Sequence, residues 1–211
     1  MTAGECGTYG RMQPMEKFLI VVAGKAGSGK TTLSKKLAAA LGLPYFDYDT
    51  FVQPFLEAIE QKYGIGDDGR NRFYRSWRNA SYRTLWDVVL ENIRLGRSAV
   101  MSAPLSEELR DADWPEKLFA KSGTPFSLLL CYMAPPSDMH YTMLLERASK
   151  RDSDVLGDRK KFDAQYAAQK PAWDQNCVLL LDSGDIDTNT KLVLQALEER
   201  NFKIGENRCA F

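Results

Sequence analysis

Residues Gly24 to Thr32 read G-K-A-G-S-G-K-T-T, directly after the apolar run Lys17 to Ala23 and directly before a stretch whose apolar residues recur at helical spacing. The pattern G-x-x-x-x-G-K-[ST] is met by Gly24, Gly29, Lys30 and Thr31, and Gly27 lets the backbone turn its N–H groups inward. Successive amides in such a turn form a nest for phosphate oxygens, and the helix that follows adds its positive N-terminal end. Strand, loop and helix must then be consecutive, which commits the chain to an α/β architecture. The expected ligand is a nucleoside triphosphate with Mg²⁺, and the loop alone does not choose among hydrolysis, transfer and regulation. Gly24, Ala26, Gly27, Ser28, Gly29, Lys30, Thr31 and Thr32 form the nucleotide-binding set. Lys30 reaches the β- and γ-phosphates, Thr31 ligates the metal and Thr32 helps hold the α-phosphate.

The rest of the chain repeats this alternation. Lys17 to Ala23 is a short continuous apolar run of the kind found in strands covered on both faces. Leu33, Leu37, Ala40 and Leu41 mark the helix after the loop, which Gly42 ends. Pro44 to Asp47 predicts a second strand and Phe51 to Tyr63 a helix, capped by Asp49 or Thr50. Gly64 to Arg70 reads as a Gly/Asp-rich loop, followed by a long amphipathic helix over about 73–95. Arg97 to Ala103, Pro125 to Met133 and Cys177 to Leu181 predict three further strands, with a helix from about Ser137 and a last one over 188–201. Five strands interleaved with helices imply a parallel sheet with helices on both faces.

Composition narrows the class further. The 211 residues are 44% hydrophobic and 27% charged, ordinary values for a globular domain, and no apolar run approaches the ~18 residues that span a bilayer. Zero net charge lacks the footprint of a dedicated nucleic-acid binder. Four scattered cysteines without C-x-x-C spacing, at 6, 131, 177 and 209, suit reduced thiols and a cytoplasmic setting. The single histidine, His140, has no metal-site neighbours and reads as an ordinary residue at a helix start. Residues 1–15 read as a flexible tail, and 16–211 as one domain.

The phosphate loop, together with Asp47-x-Asp49 at the end of the second strand and the basic stretch Arg147 to Asp152 after the fourth, resembles the small P-loop kinases. These are the adenylate-kinase-like and shikimate-kinase-like enzymes, including gluconate kinase, chloramphenicol phosphotransferase and the zeta toxins. The resemblance spans roughly residues 17 to 200 and implies a three-layer P-loop fold with a mobile lid at about 147–161 and an acceptor-binding insertion at about 50–95. By resemblance Asp49 directs or deprotonates the acceptor hydroxyl, Asp47 serves the Mg²⁺ outer shell, and Arg147 and Arg151 neutralise charge on the transferring group. From the Arg- and aromatic-rich segment 69–83, Arg78 is implied as an acceptor ligand, while Trp77, Tyr82, Leu85 and Trp86 suit the core. The turn Asp182 to Asp185 is implied to border the adenine. The superfamily often ends its third strand in an aspartate that touches the metal through water. This chain has Ser102 there, which shifts metal neutralisation onto Asp47, Asp49 and the nucleotide.

The implied activity is transfer of the ATP γ-phosphate to a hydroxyl of a small molecule such as a sugar, nucleoside or secondary metabolite, without nucleic-acid or membrane partners. Two readings stay open beside it. A nucleoside-monophosphate kinase would need several arginines converging on an acceptor phosphate. A nucleotide-dependent switch would use occupancy without transfer.

Overall fold

The computed structural model describes residues 17–148, 153–167 and 169–200. β1 (Phe18–Gly24) is buried along its whole length, which requires partners on both edges and cover on both faces. It pairs in parallel with β3 (Ala99–Ser102) on one edge and β4 (Ser127–Met133) on the other. Beyond them lie β2 (Tyr45–Asp47) and β5 (Val178–Leu181), giving the all-parallel order β2-β3-β1-β4-β5. The chain builds one side of β1 first and then crosses to the other, so β1 is the point where the strand order reverses. In open α/β sheets the crevice at that point, outside the carboxyl ends of the strands, is where ligands bind.

The alternation of side chains along β1 feeds two cores. Phe18, Ile20 and Val22 meet Leu33 and Leu37 of α1 (Lys30–Leu41) and Val193 and Leu197 of α8 (Ile186–Glu199). Leu19, Val21 and Ala23 meet Tyr82, Leu85, Trp86 and Val89 of α3 (Asp67–Arg94), Leu118 of α4 (Trp114–Ser122), and Trp173. The expected three layers are therefore present. α2 (Tyr48–Tyr63), α5 (Ser137–Arg147), α6 (Ser153–Leu156) and α7 (Arg159–Tyr166) surround the carboxyl edge of the sheet.

Several boundaries differ from the sequence reading. α2 starts at Tyr48, three residues earlier than expected, because Asp47 and not Asp49 or Thr50 is its N-cap: the Asp47 carboxylate accepts from Thr50 N at 3.2 Å. α3 begins at Asp67, inside the segment read as a loop. There the backbone amides of Gly69 and Arg70 both donate to Gly66 O, so the turn chemistry of Gly66 opens a helix. Tyr82, Leu85 and Trp86 are core residues as expected, whereas Trp77 is 41% exposed.

Trp173 ties the segment before β5 to the turn after β3. It is 1% exposed, its indole N–H donates to Glu108 O at 2.8 Å, and the neighbouring Ala172 N donates to Leu109 O at 2.8 Å. Trp173→Ala should lower unfolding free energy by about 3–5 kcal/mol, the usual cost of emptying a buried aromatic site. Trp173→Phe should cost less, about 1–3 kcal/mol, chiefly from the orphaned Glu108 carbonyl. Urea unfolding at fixed m-value measures both.

Candidate active site

The phosphate loop joins β1 to α1. Gly27 and Gly29 adopt φ of +74° and +89°, a backbone that L side chains rarely occupy, and Gly29 is the residue that caps α1. A Cβ on Gly27 would collide with Leu144 of α5, so the loop is both left-handed and tightly covered there. Lys30 Nζ folds back and donates to Lys25 O at 2.7 Å, which keeps the ammonium over the loop it closes.

One cleft of about 540 Å³ collects most of the residues singled out from the sequence. Ala26, Gly27, Gly29, Lys30, Thr31 and Thr32 form its floor, Asp47 and Asp49 one wall, Ser102 to Pro104 the end of β3, and Arg147 the far side. Asp49 lies exposed in the first turn of α2, where the helix dipole favours its negative charge. It is the carboxylate presented to solvent beside the loop. Asp47 is 8% exposed, and one of its oxygens, Oδ2, accepts from both the amide and the hydroxyl of Thr50, at 3.2 and 3.0 Å. Ser28 is buried, and Gly24 lines an adjoining cavity of about 270 Å³ that shares Ala26 and Pro104 with the cleft. Arg151 lies outside the described residues, as do the 1–15 tail, Cys6 and Cys209.

The donor set near Thr31 is made of oxygen. Asp47 pairs in register with Ser102 across β2 and β3, both border the cleft with Thr31, and the Tyr45 hydroxyl is buried beside all three without a well-aligned hydrogen bond to any. Burial, and then the Asp47 carboxylate, raise the pKa of this phenol above the usual tyrosine value. Among the described residues no group of three or more His, Cys, Asp or Glu side chains could hold a metal alone. Hydroxyls and one carboxylate, completed by phosphate oxygens, fit Mg²⁺, a hard cation that usually arrives with its nucleotide and keeps several waters.

α5 lies across the loop, a feature the sequence reading missed. Its residues His140, Met143, Leu144 and Arg147 follow the i, i+3, i+4, i+7 stripe of one helix face. His140 Nε2 is 2.8 Å from Ala26 O; a carbonyl only accepts, so Nε2 carries the proton. Leu144 sits on Gly27, and Met143 and Arg147 approach Gly29 and Gly27. His140 is 3% exposed and its ring meets Phe162 and Tyr166 of α7 edge-on, with centroids 5.8 and 5.0 Å away. It is therefore no ordinary helix-start residue. The stripe was present in the sequence, but spacing alone does not say which partner a helix face covers.

Arg78, Arg159 and Asp185 all find partners outside the cleft. Arg78 does not border the cleft: it donates to Glu108 at 2.5 Å and pairs with Glu107 at 3.1 Å, and its guanidinium stacks 4.3 Å over the Tyr82 ring. Burial opposes its charge, but Glu108 outweighs burial and its pKa is raised. The segment still shapes the cleft indirectly, since Tyr82 lies 4.5 Å from the ring of Tyr48, which borders the cleft and bonds Ser81 at 2.8 Å. Arg159 pairs with Asp163 on its own helix and ties α7 to α5 through Asp138. Asp185 caps α8 by accepting from the amides of Asp187 and Thr188, and the Thr188 hydroxyl bond is the main reason its carboxyl pKa is lowered.

Comparison with known proteins adds the lineage. A family model described as an AAA domain matches residues 19–172. The chain is 26% identical over 162 residues to a cytidylate kinase of Bartonella henselae, covering 72% of this chain and 73% of that one. It is 28% identical over 139 residues to a Mus musculus protein named as a probable gluconokinase, covering 61% and 72%. In structure it is similar to a gluconokinase from Sinorhizobium meliloti, with TM-score 0.54, 17% identity and coverage of 89% and 93%. That last likeness concerns the fold.

The packing of Leu144 on Gly27 can be measured. Gly27→Ala should weaken ATP binding by about tenfold or more, from left-handed backbone strain of roughly 1–2 kcal/mol plus the clash. Leu144→Ala in the same chain should restore part of the loss, and calorimetric titrations of the four proteins give the coupling.

Proposed function

We propose, since the chain belongs to that AAA-domain family, that it is a kinase moving the γ-phosphate of ATP onto a hydroxyl of a small molecule. The observation that carries this is the single cleft in which the phosphate loop and the exposed Asp49 face the same space. Lys30 and the loop amides hold the triphosphate and draw charge toward the β- and γ-oxygens as the bridging bond breaks. Asp49 accepts a hydrogen bond from the acceptor hydroxyl, aligns its oxygen on the γ-phosphorus and takes its proton. Thr31, Asp47 and Ser102 would hold Mg²⁺, which supplies charge neutralisation at the phosphates when bound. Arg147, at the end of α5, closes the far side. Residues 147–161, including Arg151, act as the lid, and 50–95 as the acceptor side. The free thiols of Cys131 and Cys177 support a cytoplasmic setting, and no described helix is long and apolar enough to cross a membrane.

The cytidylate kinase relative keeps a nucleotide acceptor in view. Two arginines of the acceptor side face carboxylates rather than the cleft, Arg70 at Glu60 and Arg78 at Glu107 and Glu108, which favours an uncharged hydroxyl as acceptor. An acceptor phosphate would have to win these arginines from carboxylates already in place.

ADP release with Mg-ATP, measured across sugars, nucleosides, nucleoside monophosphates and aminocyclitol or phenolic antibiotics, tests the reading. Stimulation by a hydroxyl acceptor is expected, and Asp49→Asn should then lower turnover about 10²- to 10⁴-fold with ATP binding kept. Tight ATP binding with no stimulated release by any acceptor would instead favour a switch.

A further inference from the structure

Tyr45 and Asp47 are two residues apart on β2, so their side chains share one face of the sheet, the face on which α1 packs. The Tyr45 hydroxyl ends among Asp47, Ser102 and Thr31 and is buried without an aligned partner. A buried hydroxyl within reach of three polar groups but aligned with none contributes little to the fold. Small rotations of Thr31 or Asp47 would complete those bonds.

The chemistry of the three neighbours says which. A threonine hydroxyl that gives its lone pair to a metal must direct its proton to an acceptor. In this chain β3 ends in Ser102, which brings no carboxylate there, so the acceptor must be one of the neighbouring oxygens. On the other side, Asp47 Oδ2 is already engaged by two donors from Thr50, leaving Oδ1 to be oriented. A phenol between them can do both, accepting from Thr31 or Ser102 through its oxygen lone pairs and donating its own proton to Asp47. We infer that Tyr45 is a positioning residue for the metal: it turns the Thr31 lone pair and the Asp47 carboxylate toward the cation of a metal–nucleotide complex, in the place where Ser102 supplies no carboxylate. This rests on the nucleotide-binding reading above and needs no transfer reaction.

The test separates metal from nucleotide. Tyr45→Phe should leave the melting temperature of the ligand-free protein nearly unchanged, because the hydroxyl is poorly aligned with its neighbours there. Affinity for a non-hydrolysable ATP analogue in EDTA should change less than about twofold. Mn²⁺ titrated into the protein–analogue complex, with free ion followed by electron paramagnetic resonance, should bind about three- to tenfold more weakly, the effect of one hydrogen bond. Equal Mn²⁺ affinity in wild type and variant would overturn the assignment. So would an equal loss of metal-free analogue binding, which would make Tyr45 a support of the whole loop. Failure of the wild-type protein to bind the analogue at all is a different result: it removes the nucleotide reading itself, before any variant is compared.

Discussion

The complete burial of β1 governs the rest of the molecule. Seven residues without access to water can be accommodated only by a strand paired on both edges and covered on both faces, and this fixes β1 at the centre of the sheet. Its carboxyl end is then the one place where the strand order reverses. The glycine-rich loop has to emerge there, with α1 turned back beneath it. The ends of β2 and β3 arrive alongside because their register with each other, and that of β3 with β1, brings Asp47 and Ser102 to the same level. The cleft is thus a product of strand order, and its acids and hydroxyls are placed by backbone pairing before any side chain interacts with a ligand.

The side of the cleft built from the phosphate loop was legible in the sequence because it depends on local geometry. A loop motif between a strand and a helix states its own conformation, and Lys30, Thr31, Asp47 and Asp49 follow from it and from the next strand end. The acceptor half was less legible. Arg78 belongs to a segment rich in cations, and which of them stays available is decided by carboxylates far along the chain, such as Glu107 and Glu108. His140 reads as an ordinary helix-start residue in the sequence, and its partner in the structure, the Ala26 carbonyl, carries no sequence signal. The α2 boundary was misplaced for a related reason: Asp47 serves as cap and as cleft residue at once, and two nearby aspartates compete for one role in a sequence pattern.

The two halves of the cleft also differ in how they are held. The loop is fixed by its own turns and by α5. The opposite wall is fixed in relay, from Trp173 to the Glu108 turn, from Glu108 to Arg78, from Arg78 to Tyr82 and from Tyr82 to Tyr48. Substitutions along that relay can reshape this wall of the cleft while the phosphate loop stays as it is, so the two sides can vary independently.

α5 has a metric consequence of its own. His140 fastens one point of the helix to the Ala26 carbonyl, and Arg147 leaves the same face seven residues later. Two helical turns at about 1.5 Å per residue amount to roughly 10 Å, a span that the helix cannot stretch. Under the proposed function it would work as a ruler laid along the path of a bound triphosphate, setting how far from the start of the loop a guanidinium meets charge. One residue inserted between the two points would leave the anchor in place and swing the arginine by about 100° around the axis, away from the far side of the cleft that it now borders.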